Sequence, residues 1–145
     1  LEEIDVLRIS AQVESHQGEH HVILKTNDNT HPIAIPPKAS GFGSSANGGE
    51  LLFLALATCY CNDIYREATR MNINVRDVQV EVAGEFNEVP GSIAENVTYN
   101  ATVEADASQE EIEALMRHTD TVAEIQNTLR QTVSVTLGSI RAVSV

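Results

Sequence analysis

The sequence predicts an α+β domain in which antiparallel sheets surround one long buried helix. Three observations predict it. Period-2 alternation of apolar and polar residues recurs in short stretches before and after the middle of the chain. A single run over residues 50–70 is apolar on nearly every side in its first half, so it needs burial all round. After the second alternating pair come two capping-box patterns, Ser108-Gln109-Glu110-Glu111 and Thr121-Val122-Ala123-Glu124, each announcing a helix. The element order is β-β-β-α-β-β-α-α-β in one domain over residues 1–145, with no repeat and no low-complexity tract.

Each element follows from its own residues. Ile4, Val6, Ile9, Ala11 and Val13 alternate over residues 4–14, with a slip near Leu7 that suits a bulge. Gly18 marks a turn, residues 21–25 return as a hairpin strand, and Asn27-Asp28-Asn29 turn the chain into a third strand over residues 32–35. A Pro-, Gly- and Ser-rich loop runs from Pro36 to Gly49, a length that is usually functional or mobile. The long helix ends at Asn72 or Asn74. Residues 75–88 form a strand with Val78, Val80, Val82 and Phe86 on one face, Pro90-Gly91 turns it, and residues 93–104 return. Asn96-Val97-Thr98 and Asn100-Ala101-Thr102 match a glycosylation sequon, but their alternation reads as a half-exposed strand. Two helices follow, ending near His118 and at Leu129, and a last strand over residues 132–137 carries Val133 and Val135 inward.

Composition narrows the function. Nine Lys and Arg against 21 Asp and Glu give a net charge of −12, a field that repels phosphate backbones and anionic lipid. Neither nucleic acid nor a membrane surface is an expected partner. No apolar run approaches the ~18 residues of a spanning helix. With two cysteines there is no disulfide framework, so a cytoplasmic location is expected. The chain opens at Leu1, not Met, so an upstream piece is expected to be trimmed or missing.

Cys59 and Cys61 lie two apart on the long helix, so their side chains point roughly 200° apart and cannot bridge without unwinding it. One turn either side of Cys59 stand Ala55, Leu56, Asn62, Asp63 and Arg66, a stripe that becomes polar; Cys61 faces the more apolar side. Cys61 therefore reads as core and Cys59 as the candidate nucleophile. The stretch from Asn47 to Cys59, NGGELLFLALATC, resembles the helix-opening signature of the OsmC/Ohr family, in which an Asn-Pro-Glu-x-Leu start leads to a Cys ten residues after the Glu. The order of elements resembles that family over nearly the whole chain, down to Asn127-Thr128-Leu129. The resemblance implies an OsmC-like fold and an intertwined homodimer with the long helices at its centre. It also implies a thiol peroxidase for organic hydroperoxides, whose oxidised cysteine is reduced by an external thiol. No cofactor and no metal are implied.

The sequence departs from the family pattern at three positions. Gly49 stands where the family has its Glu, with Glu50 adjacent; the hairpin SHQGEHH over residues 15–21 has no Arg; Ala123 occupies the place of the second, resolving cysteine. Only Cys59 carries over, which implies a one-cysteine or altered chemistry. Two readings of His16, His20 and His21 stay open: solvated turn residues, or cations that replace the Arg beside Cys59. With Cys59 they have no recognised metal-ligand spacing. Glu110, Glu111, Glu113 and Asp120 read as capping and solvation, His31 and His118 as surface residues, and Tyr60 and Tyr65 as core aromatics. Ser44-Ser45 lacks the Lys and the strand–loop–helix setting of a phosphate cradle. Two functions follow: a Cys59-dependent hydroperoxide reductase, or a dimer that binds an apolar small molecule around an inert cysteine.

Overall fold

A computed structural model describes residues 5–131 and 133–145, and the contacts within it divide the chain into two compact units that meet between Leu51 and Leu52. The first unit is a three-stranded antiparallel sheet in the order β1 (Ile9–His16), β2 (Glu19–Thr26), β3 (Asn29–Pro32). Gly18, at φ +76°, makes the tight turn between β1 and β2, placing His16 opposite Glu19 and Val13 opposite Val22. Asn27, at φ +51°, turns β2 into β3. The first strand starts later than the alternation suggested, at Ile9. Val6 and Leu7 lie before it with 63% and 68% exposure, and Ile4 lies outside the described residues. The third strand is shifted too, to Asn29–Pro32 instead of residues 32–35. Its pairing is set by the Asn27-Asp28 turn, which brings Asn29 opposite Thr26, and Pro32, which carries no N–H, closes the ladder. The following loop folds back on itself through the Pro37–Ser44 bridge, and Gly43 N donates to Ser15 Oγ.

Helix α1 (Gly48–Arg70) opens on a capping box: Asn47 Oδ1 accepts from Glu50 N at 2.8 Å and Glu50 Oε1 accepts from Asn47 N at 2.9 Å. It ends at Asn72, in the left-handed conformation, with Ile73 N reaching back to Ala68 O. The expected burial on every side is not found within the chain. Leu56 and Tyr60 are buried, but Leu54 is 55% exposed and both cysteines are only half-buried.

The second unit pairs β4 (Asn74–Glu85) with β5 (Glu95–Asp106), antiparallel, with an irregularity between Val75 and Asp77. Tyr60, Ile64, Ala68, Ile73 and Leu115 form its core, and Val75, Val78, Val80, Tyr99 and Val103 pack against it. Phe86, expected on that face, lies beyond the strand and stacks on Phe53 at 6.1 Å. At Gly84 a Cβ would stand 2.8 Å from Phe53 Cζ and 3.0 Å from Val97 Cγ2, so a larger residue would have to displace these side chains.

Ser108 and Glu111 cap α2 (Gln109–Val122) reciprocally, as the sequence predicts, although the helix runs one turn past His118. The second capping box does not form. Thr121 Oγ1 donates to His118 O within α2, and α3 (Glu124–Arg130) starts from Ala123, which has no side-chain cap. The expected last strand is also absent among the described residues. Thr132 lies outside them, and residues 133–137 join no ladder among the described residues, with Val135 93% and Leu137 82% exposed. No helix among the described residues is long and apolar enough to cross a membrane.

Candidate functional site

Cys59 begins a stripe on α1 that continues one, two and slightly more turns later through Asp63, Arg66 and Glu67. The stripe faces the start of α3. The Cys59 thiol donates to Asp63 Oδ2 at 3.5 Å and to Glu124 Oε2 at 3.8 Å. Arg66 Nη1 bridges the same two carboxylates, at 3.2 Å to Asp63 and 2.8 Å to Glu124. Its Nε donates to Glu67 Oε2 at 2.8 Å, and Glu67 Oε1 meets His118 Nε2, also at 2.8 Å. Asp63 and Glu67 are buried, at 6% and 3% exposure, and each has the charge partner that a buried carboxylate needs.

The electrostatics follow from this packing. Burial pushes the Cys59 thiol above its ordinary value; a backbone hydrogen bond from Ile125 opposes this, and the charges of Asp63 and Glu124 add to it. Burial and the nearby Glu124 likewise raise the Asp63 carboxyl. Burial acts on Glu124 in the same direction, but its neighbours Asp63 and Arg66 outweigh it and hold Glu124 low. Hydrogen bonds from Arg66 and His118 lower Glu67. Cys59 Sγ and one oxygen each of Asp63 and Glu124 lie within 4.8 Å of one another, the spacing of a cation site. Arg66 supplies that positive charge itself, with its Nη1 shared between the two carboxylates.

The other residues singled out from sequence fall elsewhere. Glu50 is held in the helix cap. His16 ends β1 opposite Glu19, His20 pairs across from Ser15, and His21 Nε2 lies 3.5 Å from Glu19. Cys61 lines a shallow cleft with Ala57, Thr58, Asn62 and Val80, clear of the charged stripe. Tyr60 is a core residue: its hydroxyl donates to Met116 O at 2.9 Å, and burial raises its pKa to about 12. Tyr65 is 43% exposed, against expectation, because it sits on the opposite side of α1 from Asp63 and Glu67. Asp120 does more than solvate the surface, since it accepts from Tyr99 OH and pairs with Arg130 at 2.6 Å. His118 lies at the surface as expected, its side chain 46% exposed, and it also closes the network through Glu67. Sequence reasoning placed Asp63 and Arg66 beside Cys59 and missed Glu67, Glu124 and His118. The available signal was the row of charges at Asp63, Arg66 and Glu67 on a helix that otherwise packs a core.

The family model of OsmC-like proteins matches residues 41–138, most of the chain. The chain belongs to the OsmC-like protein family. No match was found among curated proteins. Among solved structures, the OsmC-like chain is similar to an OsmC-like protein from Mycoplasma pneumoniae at 18% identity and TM-score 0.60, covering 87% of this chain and 88% of that one. It is similar to an OsmC-like hydroperoxide resistance protein from Jannaschia sp. CCS1 at 15% identity and TM-score 0.53, covering 88% and 87%. An organic hydroperoxide resistance protein from Elizabethkingia anophelis matches at 16% identity and TM-score 0.53, covering 90% and 91%. These likenesses establish the fold.

Proposed function

We propose that this OsmC-like protein is a one-cysteine reductase of organic hydroperoxides, with Cys59 as the reacting thiol and an external thiol as reductant. The observation that carries the reading is the setting of Cys59. Its thiol is half-exposed, donates to a carboxylate, and sits next to an Arg-bridged acid pair. An inert structural cysteine belongs in an apolar core, the setting closer to that of Cys61. In this reading Arg66 balances the Asp63 and Glu124 carboxylates beside Cys59, and Glu50 serves the helix start. The sulfenic acid forms no intrachain disulfide, because Ala123 replaces a resolving thiol and Cys61 faces away. A homodimer in the cytoplasm belongs to the same reading. Leu54 on α1 and Ile9 and Val13 on β1 are 55%, 73% and 58% exposed in the single chain, and a second copy would cover such residues.

The test is consumption of an organic hydroperoxide in the presence of a dithiol. Cys59→Ser abolishes it, and Cys61→Ser leaves it within about twofold of the parent, as expected for a nucleophile that no other group replaces. Equal activity in the parent and in Cys59→Ser would exclude Cys59 as the reacting thiol.

One observation favours a second reading, that of an apolar binder. The first unit holds a cavity of about 540 Å³ lined by Val22, Ile23, Ile33, Ile35 and Pro36, with His20 at its edge. A protein that consumed no hydroperoxide yet bound an apolar dye, released by Val22→Asp, would support this reading over the first.

A further inference from the structure

The second unit carries one connected chain of side chains drawn from three helices. Cys59, Asp63, Arg66 and Glu67 come from α1, His118 from α2, and Glu124 from α3. The chain runs from the thiol to Asp63 and Glu124, through Arg66 to Glu67, and out to His118; Arg70 approaches Glu67 at 3.7 Å. An ion-pair network that only held three helices together would have no use for a thiol at its end. A thiol placed there is in contact with a proton acceptor.

The two acceptors are not equivalent. Asp63 stands one turn along the same helix, is nearer to Sγ, and has a side chain only 9% exposed, so the backbone fixes its approach. The Glu124 side chain is 61% exposed and is held by the shorter bond to Arg66. We infer that Asp63 is the proton acceptor that activates Cys59, with the Arg66–Glu124 pair positioning it. The inference rests on the hydroperoxide reading above. Burial raises the Asp63 carboxyl, and its oxygen is the nearer of the two to Sγ, so Asp63 is the better-placed base.

The step balances. The S–H proton passes to Asp63 Oδ2, and the sulfur lone pair attacks the terminal oxygen of the hydroperoxide. The S–O bond forms as the O–O bond breaks, and its electron pair leaves on the alkoxide, which takes the proton from Asp63. Cys59 is oxidised by two electrons to the sulfenic acid, and the hydroperoxide is reduced to an alcohol. Two equivalents of an external thiol then restore the S–H, releasing their disulfide and water.

The test compares two rates at Cys59 in the full-length chain, using Asp63→Asn. One is oxidation by cumene hydroperoxide at neutral pH; the other is the pH profile of alkylation by iodoacetamide, with the modified residue located by mass spectrometry. Loss of the carboxylate removes a charge that opposes the thiolate, so the alkylation profile moves to lower pH. Oxidation nevertheless slows by at least about tenfold, the low end of a general base's contribution, and Asp63→Glu recovers part of it. If Asp63→Asn oxidised faster in step with its easier alkylation, Asp63 would be only a neighbouring charge and the inference would fail alone. A parent unreactive toward hydroperoxide would overturn both the inference and the reading beneath it. If circular dichroism showed Asp63→Asn unfolded, Asp63→Ala with added formate would decide: restored oxidation supports the inference, and no restoration overturns it.

Discussion

The two units differ in what they do with the same kind of residue. In the second, alternating valines of β4 meet Tyr60, Ile64 and Leu115 and form a core. In the first, β1 alternates just as regularly, yet every one of its residues is exposed, and Val22 of β2 is the buried apolar residue of the sheet. Alternation therefore reports which face wants cover and leaves open which molecule provides it. The charged stripe on α1 shows the same division within one helix: Ile64 and Ala68 turn to the core, while Asp63 and Glu67 are buried and each paired with Arg66.

The largest effect expected from this contrast is in the second unit. Leu115 has no exposed surface, so Leu115→Ala costs about 2–5 kcal/mol of stability, read by chemical denaturation. Val13→Ala on β1 tests the other half. In a lone chain its cost stays within about 0.5 kcal/mol. If a second copy covers β1, the parent sediments as a dimer and melts at a temperature that rises with protein concentration, and Val13→Ala weakens that dependence. A parent that sediments as a monomer at micromolar concentration would contradict the dimer.

The smallest effect separates Glu67 from ordinary surface acids. Its folded pKa is depressed, so its ion pairs add stability that is fully present above the ordinary glutamate range and lost as pH falls through the lowered value. Glu67→Gln should therefore flatten the acid limb of the thermal-stability profile and lower stability at pH 7. An unchanged acid limb would show that Arg66 and His118 do not stabilise the ionised form.

Much of this was legible in the sequence. The first two hairpins, the long helix and the Ser108 cap follow from period, turn residues and cap chemistry, which act within a few positions. The failures lie where a local pattern had a competing or missing partner. Thr121 has the spacing of a cap, but its hydroxyl bonds within the preceding helix to His118 O, so the pattern matched without the geometry. Residues 133–137 have a strand's alternation without a partner strand among the described residues. Around Cys59, the residues on its own helix could be read from spacing. Glu124 and His118, 65 and 51 positions from the α1 residues they touch, were invisible to any local pattern.

The central claim is that Cys59 is a thiol that reacts with hydroperoxide and has no partner cysteine. Mass spectrometry of the whole protein after stoichiometric organic hydroperoxide, without reductant, tests it directly. The account predicts a gain of one oxygen at Cys59, trapped as a sulfenic acid, advancing to the sulfinic acid with excess oxidant while Cys61 stays unmodified. An unmodified Cys59, or a loss of two hydrogens mapping to a Cys59–Cys61 bridge, would contradict it.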